Sequence, residues 1–254
     1  MNNLFSLQGR TALITGGSRG IGRMIAAGFL AQGARVYISA RKSAACDQTA
    51  AELGALGHCV SLPADVSSVA GAKALAAAYA THESQLDILV NNAGAAWGAP
   101  FDDFPESGWD KVVDLNLKAP FFLTQALAGH LRLAGKQRVA KVINIASVDG
   151  LSVNPQETYS YAGSKAGLVH LTRRMALRLI EDNIAVTAIA PGAFASEMNR
   201  DARDRADEVS AHIPAGRIGT DEDMAGAAIY LASRAGDYVV GETLVVDGGV
   251  TLKR

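Results

Sequence analysis

Short apolar runs alternate with longer helical patterns along the chain. TALIT at residues 11–15 precedes a helical segment, ARVYIS at 34–39 precedes another, and the alternation continues to TLVVD at 243–247. Runs such as LDILV and KVINI are apolar throughout, which is typical of strands covered by helices on both faces. The pattern therefore predicts an α/β fold with a doubly wound parallel sheet.

The helical pattern also contains two features that bear on function. A long helical stretch is predicted from about Trp109 to Leu133, and a later helix holds Tyr161 and Lys165. Residues 193–219 are irregular and highly charged, which suits either a mobile substrate lid or a solvated surface excursion. In a doubly wound sheet ligands bind beyond the carboxyl ends of the strands, so the residues after each apolar run are the candidates for chemistry.

Composition narrows the kinds of ligand. The chain has 254 residues, 49% of them apolar, so one core and a single domain over 1–254 are expected. A net charge of −1 predicts no binding to nucleic acid or membrane, and the scattered histidines predict no metal site. Two cysteines without a CxxC motif, and no export leader or long apolar run, predict a cytoplasmic protein that binds a small molecule.

A glycine-rich sequence, TGGSRGIG, joins the first predicted strand to the first predicted helix. Gly16 would permit the tight turn, Gly20 the close approach of a pyrophosphate, and Gly22 close packing of the helix on the strand. Because a glycine loop between a strand and a helix is specific to few folds, this context predicts a Rossmann-like dinucleotide site.

The end of the second strand predicts which dinucleotide binds. A site that prefers NAD carries Asp or Glu there to bind the ribose hydroxyls, but this chain has Ala40 followed by Arg41. Arg41 and Arg19 together could clamp a 2′-phosphate, although each alone would also suit a solvated surface. NADP(H) is therefore the expected cofactor.

Tyr161 and Lys165 stand four residues apart and so share one face of their helix. A phenol has an ordinary pKa near ~10, so it can serve as an acid at neutral pH only if a neighbour stabilises the phenolate. The Lys165 ammonium has the right sign for that. Tyr159 lies six residues from Lys165, off its face, and is not expected to be the acid.

These motifs together resemble the short-chain dehydrogenase/reductase family over essentially the whole chain. The matching segments are TGGSRGIG, NNAG at 91–94, LNL around Asn116, Ser147 with YAGSK, Pro191-Gly192 and VDGG near the end. MIAAGFL, SGWDKV and PGAFAS further resemble the bacterial NADPH-dependent 3-oxoacyl-(acyl-carrier-protein) reductases of the rhamnolipid-associated type. The resemblance implies reduction of a 3-oxoacyl thioester, carried by acyl carrier protein or coenzyme A.

The resemblance implies a role for each matching residue. Tyr161 would be the general acid, Lys165 would lower its pKa and bind the nicotinamide ribose, Ser147 would hold the substrate carbonyl, and Asn116 would support a proton-relay water. The implied cofactor contacts are Gly16, Ser18, Arg19, Gly20, Ile21, Gly22, Arg41, Asp65, Val66, Asn92, Ala93, Gly94, Tyr161, Lys165, Pro191, Gly192 and Ser196.

Several residues have a second interpretation. Asp65 could contact adenine or cap the next helix. Trp97, Phe101 and Met198 suit an apolar substrate channel or ordinary packing. Three arginines of the irregular segment suit either contact with a carrier protein or phosphate, or a solvated surface. They are Arg200, Arg203 and Arg205.

Assembly and substrate also have alternatives at this stage. The resemblance implies a homotetramer, and Leu168, Leu171 and Met175 suit either its interface or packing inside the chain. The same catalytic residues would serve a dehydrogenase or reductase of a sugar, polyol or small ketone. A dinucleotide-binding regulator or a methyltransferase is disfavoured, because neither needs the complete set of catalytic residues.

Overall fold

The computed structural model describes residues 3–253, and within them one parallel sheet has the strand order β3-β2-β1-β4-β5-β6-β7. The predicted doubly wound, Rossmann-like α/β fold is confirmed. The strands of the sheet are β1 (Thr11–Thr15), β2 (Arg35–Ser39), β3 (Cys59–Ser61), β4 (Ile88–Asn91), β5 (Ala140–Ile145), β6 (Ile184–Pro191) and β7 (Thr243–Val246).

Helices connect the strands and cover both faces of the sheet. The α-helices of the described range are α1 (Gly20–Ala31), α2 (Ser43–Leu53), α3 (Val69–Ala80), α4 (Glu106–Val113), α5 (Ala119–Gly135), α6 (Tyr159–Leu179), α7 (Arg200–Asp204), α8 (Ala206–Ser210) and α9 (Asp221–Ala232). None of the helices in residues 3–253 is long and apolar enough to cross a membrane.

Alternate side chains of the central strands enter two separate cores. Ile14, Ile88 and Val90 pack with α1, α2 and α9, whereas Leu13 and Leu89 pack with α3, α5 and α6. All five side chains are fully buried. Because both faces of the sheet are covered, its strands are continuous apolar runs rather than alternating ones.

The long helical stretch predicted around Trp109 to Leu133 is present, with a π-helical turn inside it. After α4, residues Asp114–Lys118 form a π-helical turn, and α5 then continues to Gly135. Such turns are often found at functional sites, and this one holds Asn116. The apolar periodicity did not reveal the wider turn, because Val112 before it and Ala119 after it are both buried.

Packing decides the role of the apolar face of α6, which the sequence left open. Leu168 and Met175 of α6 are buried within the chain, and Leu171 packs against the core shared with α3 and α5. These three side chains therefore pack inside the chain instead of forming a subunit interface.

Residues 193–219 contain more regular structure than their sequence suggested. They include α7 and α8, and Ala202 of α7 is fully buried. The two ends are joined, because Gly219 N donates to Ala193 O at 2.9 Å and the Phe194 ring occupies the space beside Gly219. The segment borders the candidate site, and its movement as a lid stays a prediction.

Candidate active site

A cleft of about 1240 Å³ opens beyond the carboxyl ends of the strands. β1 and β4 are neighbours there, at the point where the strand order reverses and where doubly wound folds bind ligands. Of the predicted site residues, Gly22 and Asn116 lie behind the wall of the cleft. The others line it: Gly16, Ser18, Arg19, Gly20, Ile21, Arg41, Asp65, Val66, Asn92, Ala93, Gly94, Ser147, Tyr161, Lys165, Pro191, Gly192 and Ser196.

The glycine loop takes a conformation that requires glycine. Gly16 and Gly20 have φ values of +66° and +50°, in the left-handed region that side chains disfavour. A Cβ on Gly22 would lie 2.3 Å from Gly16 O, so this glycine lets α1 pack on the loop itself, not on a strand as expected. The loop thereby brings the N-terminus of the 12-residue α1 to the cleft, where it suits a pyrophosphate.

Hydrogen bonds fasten the NNAG segment to the glycine loop. Thr15 Oγ1 accepts from the backbone N–H groups of Asn92 and Ala93, both at 3.0 Å. Asn92 Nδ2 donates to Thr15 O at 2.9 Å and to Gly16 O at 3.2 Å. Asn92 therefore shapes the loop as well as lining the cleft. Thr15 was not predicted as a site residue, and its hydroxyl at the end of β1 was the available signal.

Two exposed cations, Arg19 and Arg41, line the cleft near the end of β2. Neither has an ion-pair partner within 4 Å among residues 3–253, so both guanidinium groups can bind an anionic group of a ligand. Asp65 lies on the same side. Hydrogen bonds from Ser67, with a smaller contribution from Arg41, lower the pKa of the Asp65 carboxyl.

Asp65 does not cap α3, so the capping alternative is wrong. Asp65 Oδ1 accepts from Ser67 N at 3.0 Å in a local turn. Ser68 is the capping residue, and its Oγ accepts from Gly71 N at 3.1 Å. The Asp65 carboxylate is therefore positioned along the cleft wall, where it remains available to a nucleotide.

Tyr161 and Lys165 lie on successive turns of α6, as their spacing predicted. Lys165 Nζ donates to Ile145 O at the end of β5, at 2.6 Å, and lies 5.7 Å from the centroid of the Tyr161 ring. The Lys165 side chain is buried, and this burial lowers its pKa to about 8. The ammonium therefore faces the ring of Tyr161 while it is anchored to the neighbouring strand.

The pKa of Tyr161 lies above its ordinary value, contrary to the expected lowering by Lys165. Burial is the main cause, and the Asp149 carboxylate adds to the rise, while hydrogen bonding with Ser147 acts in the opposite direction. Lys165 Nζ donates to Ile145 O and lies over the Tyr161 ring, and a lowering of the Tyr161 pKa by Lys165 stays a prediction. The surroundings of the phenol keep it protonated, the state that a general acid needs.

Asn116 is held rigidly behind the catalytic pair. Its Oδ1 accepts from Ala95 N at 2.8 Å, and its Nδ2 donates to Ala95 O at 2.9 Å and to Ser164 Oγ at 3.1 Å. Ser164 Oγ in turn donates to Tyr161 O at 2.8 Å. Ser164 was not predicted as a site residue, although it stands between the two catalytic residues in YAGSK.

Tyr159 is turned away from the chemistry, as predicted. Its hydroxyl donates to Glu157 Oε1 at 3.0 Å, and its ring packs edge-on against Phe101 and Phe104. Phe101 therefore belongs to an exposed aromatic group outside the cleft. The channel expectation is wrong for Phe101.

The other proposed channel residues divide in the same way. Trp97 is a packing residue. Its ring lies so close to Gly108 that a Cβ on this glycine would be 2.8 Å from it, and Lys111 Nζ lies over the ring. Met198 lines the cleft. The apolar channel is therefore reduced to Met198 among the three candidates.

The three arginines that the sequence singled out in residues 193–219 also differ, and the fourth, Arg217, pairs with Asp223. Arg203 pairs with Glu197 and Asp204, and Arg205 pairs with Asp201. Arg200 lines the cleft and has no ion pair within 4 Å in the described part of the chain. It is therefore the arginine of this segment that is available to an anionic substrate.

The donors and cations of the cleft fit a phosphorylated dinucleotide. The helix N-terminus suits the pyrophosphate, and Arg19 and Arg41 suit an additional phosphate. Within residues 3–253, no group of three or more His, Cys, Asp or Glu side chains is arranged to hold a metal ion.

Similar sequences are found in proteins of known function. Residues 16–251 match the family described as enoyl-(acyl carrier protein) reductase. The rhamnolipids biosynthesis 3-oxoacyl-(acyl-carrier-protein) reductase of Pseudomonas aeruginosa is 48% identical over 99% of this chain and 100% of that protein. A 2-dehydro-3-deoxy-D-gluconate 5-dehydrogenase of Dickeya dadantii is 38% identical over 97% of each chain.

Solved structures show the same similarity. The structure of Pseudomonas aeruginosa RhlG with NADP has a TM-score of 0.95 at 49% identity, covering 99% of this chain and 100% of that one. A gluconate 5-dehydrogenase from Burkholderia cenocepacia with NADP and tartrate has a TM-score of 0.90 at 35% identity, covering 98% of each. With its fold, its glycine loop and its Ser147, Tyr161 and Lys165 arranged in one cleft, this chain belongs to the short-chain dehydrogenase/reductase family.

Proposed function

We propose that the protein is an NADPH-dependent carbonyl reductase that converts 3-oxoacyl thioesters into 3-hydroxyacyl thioesters. The observation that carries this proposal is the convergence of Ser147, Tyr161 and Lys165 on the cleft that the glycine loop also lines. Identity of 48% to a 3-oxoacyl reductase supports the substrate class.

The residues of the cleft have complementary tasks in this reaction. Bound NADPH supplies a hydride to the keto carbon. Negative charge then develops on the keto oxygen, where the Ser147 hydroxyl donates a hydrogen bond and Tyr161 transfers its proton. The oxygen becomes a hydroxyl, and the phenolate left on Tyr161 faces the Lys165 ammonium.

Arg19 and Arg41 account for the choice of NADPH over NADH. Both are exposed and line the cleft. Arg41 follows the end of β2, where a carboxylate would bind the ribose of NAD, and Arg19 lies in the glycine loop. Two guanidinium groups bind a 2′-phosphate through charge-assisted hydrogen bonds. The NADP complexes among the solved relatives support this cofactor.

The first experiment compares substrates with NADPH as the donor. Acetoacetyl-CoA, acetoacetyl N-acetylcysteamine, 5-ketogluconate and simple ketones are supplied separately while NADPH consumption is followed. The thioesters should have a kcat/KM at least about tenfold above the others.

Tyr161→Phe should lower turnover by about 10²- to 10⁴-fold and leave NADPH binding, measured by fluorescence, nearly unchanged.

The second candidate is a reductase or dehydrogenase of a sugar acid. The observation in its favour is that several relatives, including that of Dickeya dadantii, are gluconate-type dehydrogenases. Faster turnover of 5-ketogluconate than of both thioesters in the same assay would replace the thioester proposal with this one.

We also propose that a phosphate of the acyl carrier contacts Arg200. CoA and the phosphopantetheine of acyl carrier protein bear phosphate, whereas N-acetylcysteamine does not. Arg200→Ala should therefore raise KM for acetoacetyl-CoA several-fold and leave KM for the N-acetylcysteamine thioester unchanged. Arg205→Ala is the matched control, because Arg205 already pairs with Asp201; equal effects of the two variants on CoA would contradict the contact.

The proposed assembly is a homotetramer in the cytoplasm. Phe121 and Leu133 of α5 and Leu177 of α6 are exposed apolar side chains on helices suited to a subunit contact. Both cysteines are free, and burial raises their pKa values, to about 11 for Cys59, as suits thiols that remain reduced. Light scattering should give four times the chain mass, and Leu177→Glu should reduce it; a monomeric wild type would contradict the assembly.

A further inference from the structure

A buried hydrogen bond from Thr49 joins the helix α2 to the glycine loop. Thr49 Oγ1 donates to Ser18 O at 2.9 Å, and the Thr49 side chain is buried. Ser18 lines the cleft, whereas Thr49 lies behind the cleft wall. The bond connects two segments that are 31 residues apart along the chain. Each segment lies next to one of the two cations that are proposed to bind the 2′-phosphate, Arg19 in the loop and Arg41 before α2.

The helix that carries Thr49 is fixed on the sheet. Cys46 of α2 is fully buried, and its Sγ donates to Ile38 O at 3.4 Å. Leu53 of the same helix is buried in the core that β1 and β2 share. Because these contacts hold α2 against β2, the Thr49 hydroxyl has a set position relative to the strand end that precedes Arg41.

The glycine loop is anchored on both sides of the Ser18 carbonyl. Before it, Gly17 N donates to Ser39 O at 3.1 Å, which joins the loop to the end of β2. After it, Arg19 is the N-cap residue of α1, and its own carbonyl accepts from Arg23 N at 3.4 Å. The Ser18 carbonyl lies between these two anchors, and the Thr49 hydroxyl is its hydrogen-bond donor from α2.

A bond to the Ser18 carbonyl fixes the peptide plane that leads into Arg19. The peptide is planar and trans, so its N–H, which belongs to Arg19, points away from α2 when the carbonyl points toward Thr49. The orientation of this plane sets the direction in which the Cα–Cβ bond of Arg19 leaves the backbone. The position of the Arg19 guanidinium in the cleft therefore depends on the Thr49 hydroxyl.

We propose that Thr49 is a positioning residue for the cofactor: it holds Arg19 where its guanidinium binds the 2′-phosphate, and so it contributes to the preference for NADPH over NADH. The proposal rests on the proposed function in one respect, namely that Arg19 binds this phosphate. Thr49 does not line the cleft, and its effect on the cofactor is transmitted by Ser18 and Arg19.

Loss of the Thr49 hydroxyl acts differently on the two cofactors. The Ser18 carbonyl then loses its donor behind the cleft wall, and the peptide plane between residues 18 and 19 is free to turn. Arg19 is exposed and has no ion pair within 4 Å in residues 3–253, so no such contact keeps its guanidinium in place. NADH has no phosphate at the 2′ position and therefore loses no contact when Arg19 is displaced.

The experiment measures cofactor binding without turnover. Dissociation constants of NADPH and NADH are determined by fluorescence for the wild type and for Thr49→Val, in which a methyl group replaces the hydroxyl. We expect the Kd of NADPH to rise about five- to tenfold and that of NADH less than about twofold, because a charge-assisted contact is weakened. In competition with NADPH, adenosine 2′,5′-bisphosphate and adenosine 5′-phosphate should show the same contrast, since they differ only in the 2′-phosphate.

Two further variants separate positioning from a general loosening of α2. Thr49→Ser keeps a hydroxyl and should bind NADPH within about twofold of the wild type. Glu52→Gln breaks a second contact of α2 with α1, the exposed pair of Arg23 and Glu52 at 3.0 Å, and should leave both constants nearly unchanged. Melting temperature verifies that each variant is folded. The proposal is overturned by equal weakening of NADPH and NADH in Thr49→Val, or by a loss of NADPH binding in Thr49→Ser or Glu52→Gln as large as in Thr49→Val.

A double-mutant cycle determines whether Thr49 acts through Arg19. Arg19→Ala should weaken NADPH binding about tenfold, and Thr49→Val should add less than about twofold in that background. Additive effects would overturn the positioning role while leaving Arg19 as a phosphate ligand. No effect of Arg19→Ala would contradict both the contact of Arg19 and the role of Thr49. These constants do not depend on which ketone is reduced, so failure of the thioester proposal is seen separately, in the substrate comparison.

Discussion

At the residue scale, burial decides the protonation of the catalytic pair. Lys165 is a buried ammonium whose pKa falls to about 8, and Tyr161 is a half-buried phenol whose pKa rises above its ordinary value. The two shifts have the same origin, because burial disfavours the charged form of each group. The i, i+4 spacing predicted that the two residues share a face, but the direction of the Tyr161 shift depends on Ser147, Asp149 and the surrounding core.

The first prediction concerns the pH dependence of cofactor use. Lys165 is charged below about pH 8 and neutral above it. Tyr161 remains protonated through the same range, because its pKa is raised. We therefore expect kcat/KM for NADPH, which reports the free enzyme, to fall as the pH rises through about 8. A pH series of initial rates at fixed ionic strength measures this decrease.

Lys165→Arg provides the matching test. A guanidinium stays charged throughout this range, so the variant should keep a low activity without the decrease near pH 8. A decrease at the same pH in Lys165→Arg would assign it to another group.

The second prediction concerns the arginine at the end of β2. Arg41→Ala should raise KM for NADPH about tenfold or more and leave KM for NADH nearly unchanged, because one charge-assisted contact to the 2′-phosphate is lost. Steady-state kinetics with each cofactor measures the two constants. Lys42→Ala removes a neighbouring charge that also lines the cleft and should have the smaller effect. Equal use of NADH and NADPH by the wild type would contradict the role of Arg41.

At the element scale, short connections place the chemistry. The turn Val148–Gly150 sets Ser147 and Asp149 against α6, and the π-helical turn Asp114–Lys118 sets Asn116 behind them. Both turns depend on contacts with α6, which is distant along the chain. For this reason the helix that carries Tyr161 was predictable from local spacing, whereas the π-helical turn between α4 and α5 was not.

The third prediction tests the contact between the turn and α6. Gly150→Ala would place a Cβ 2.7 Å from backbone atoms of Lys165, which cannot move aside as a flexible side chain would. The expected cost is about 1–3 kcal/mol of unfolding free energy, together with reduced turnover, because Ser147 is displaced from Tyr161. Urea unfolding followed by circular dichroism measures the first effect and NADPH consumption the second.

Gly226→Ala on α9 is the control for that substitution. A Cβ there has no atom within 4 Å, so replacement of a helical glycine should stabilise the protein by about 0.5–1 kcal/mol and leave activity unchanged. If Gly150→Ala behaves like Gly226→Ala, the close contact with α6 does not constrain the turn.

At the scale of the whole molecule, the two ends of the parallel strands have different roles. The carboxyl ends of the strands form the cleft. At the amino ends of the strands, buried Lys141 Nζ lies 2.8 Å from Asp237 Oδ1, and Arg10 donates to Ala232 O at 3.1 Å. Asp87 Oδ2 accepts from Thr11 N at 2.9 Å. These polar contacts join β1, β5 and the segment between α9 and β7 far from the chemistry.

The fourth prediction concerns the buried pair at that end. Asp237→Asn leaves the Lys141 ammonium buried without its carboxylate, and the expected loss is about 3 kcal/mol of unfolding free energy. Burial already lowers the pKa of Lys141. The loss should therefore shrink as the pH rises, because the unfolded chain retains the lysine proton more tightly than the folded protein. Urea unfolding at several pH values measures both effects.

Asp201→Asn is the matched surface control. Asp201 and Arg205 form a pair in which both side chains are 56% exposed, so its loss should cost much less than the loss at Asp237. Similar losses for Asp237→Asn and Asp201→Asn would show that burial adds little to the pair at the amino ends of the strands.

The sequence alone determined the features that depend on neighbours along the chain. Continuous apolar runs identified covered strands, the spacing of TGGSRGIG identified a glycine loop, and the i, i+4 spacing of Tyr161 and Lys165 placed them on one helical face. Helical periodicity, turn conformation and the succession of a strand, a loop and a helix are short-range properties. For this reason these predictions could be made without a structure.

Tertiary structure decided the features that depend on atoms distant in sequence. It paired Arg203 and Arg205 with carboxylates while leaving Arg200 along the cleft, and it removed Trp97 and Phe101 from the predicted channel. It also raised the pKa of Tyr161, chiefly through burial. Burial and electrostatic interaction are properties of three-dimensional proximity, and only the folded chain sets which charges and cavities lie next to one another.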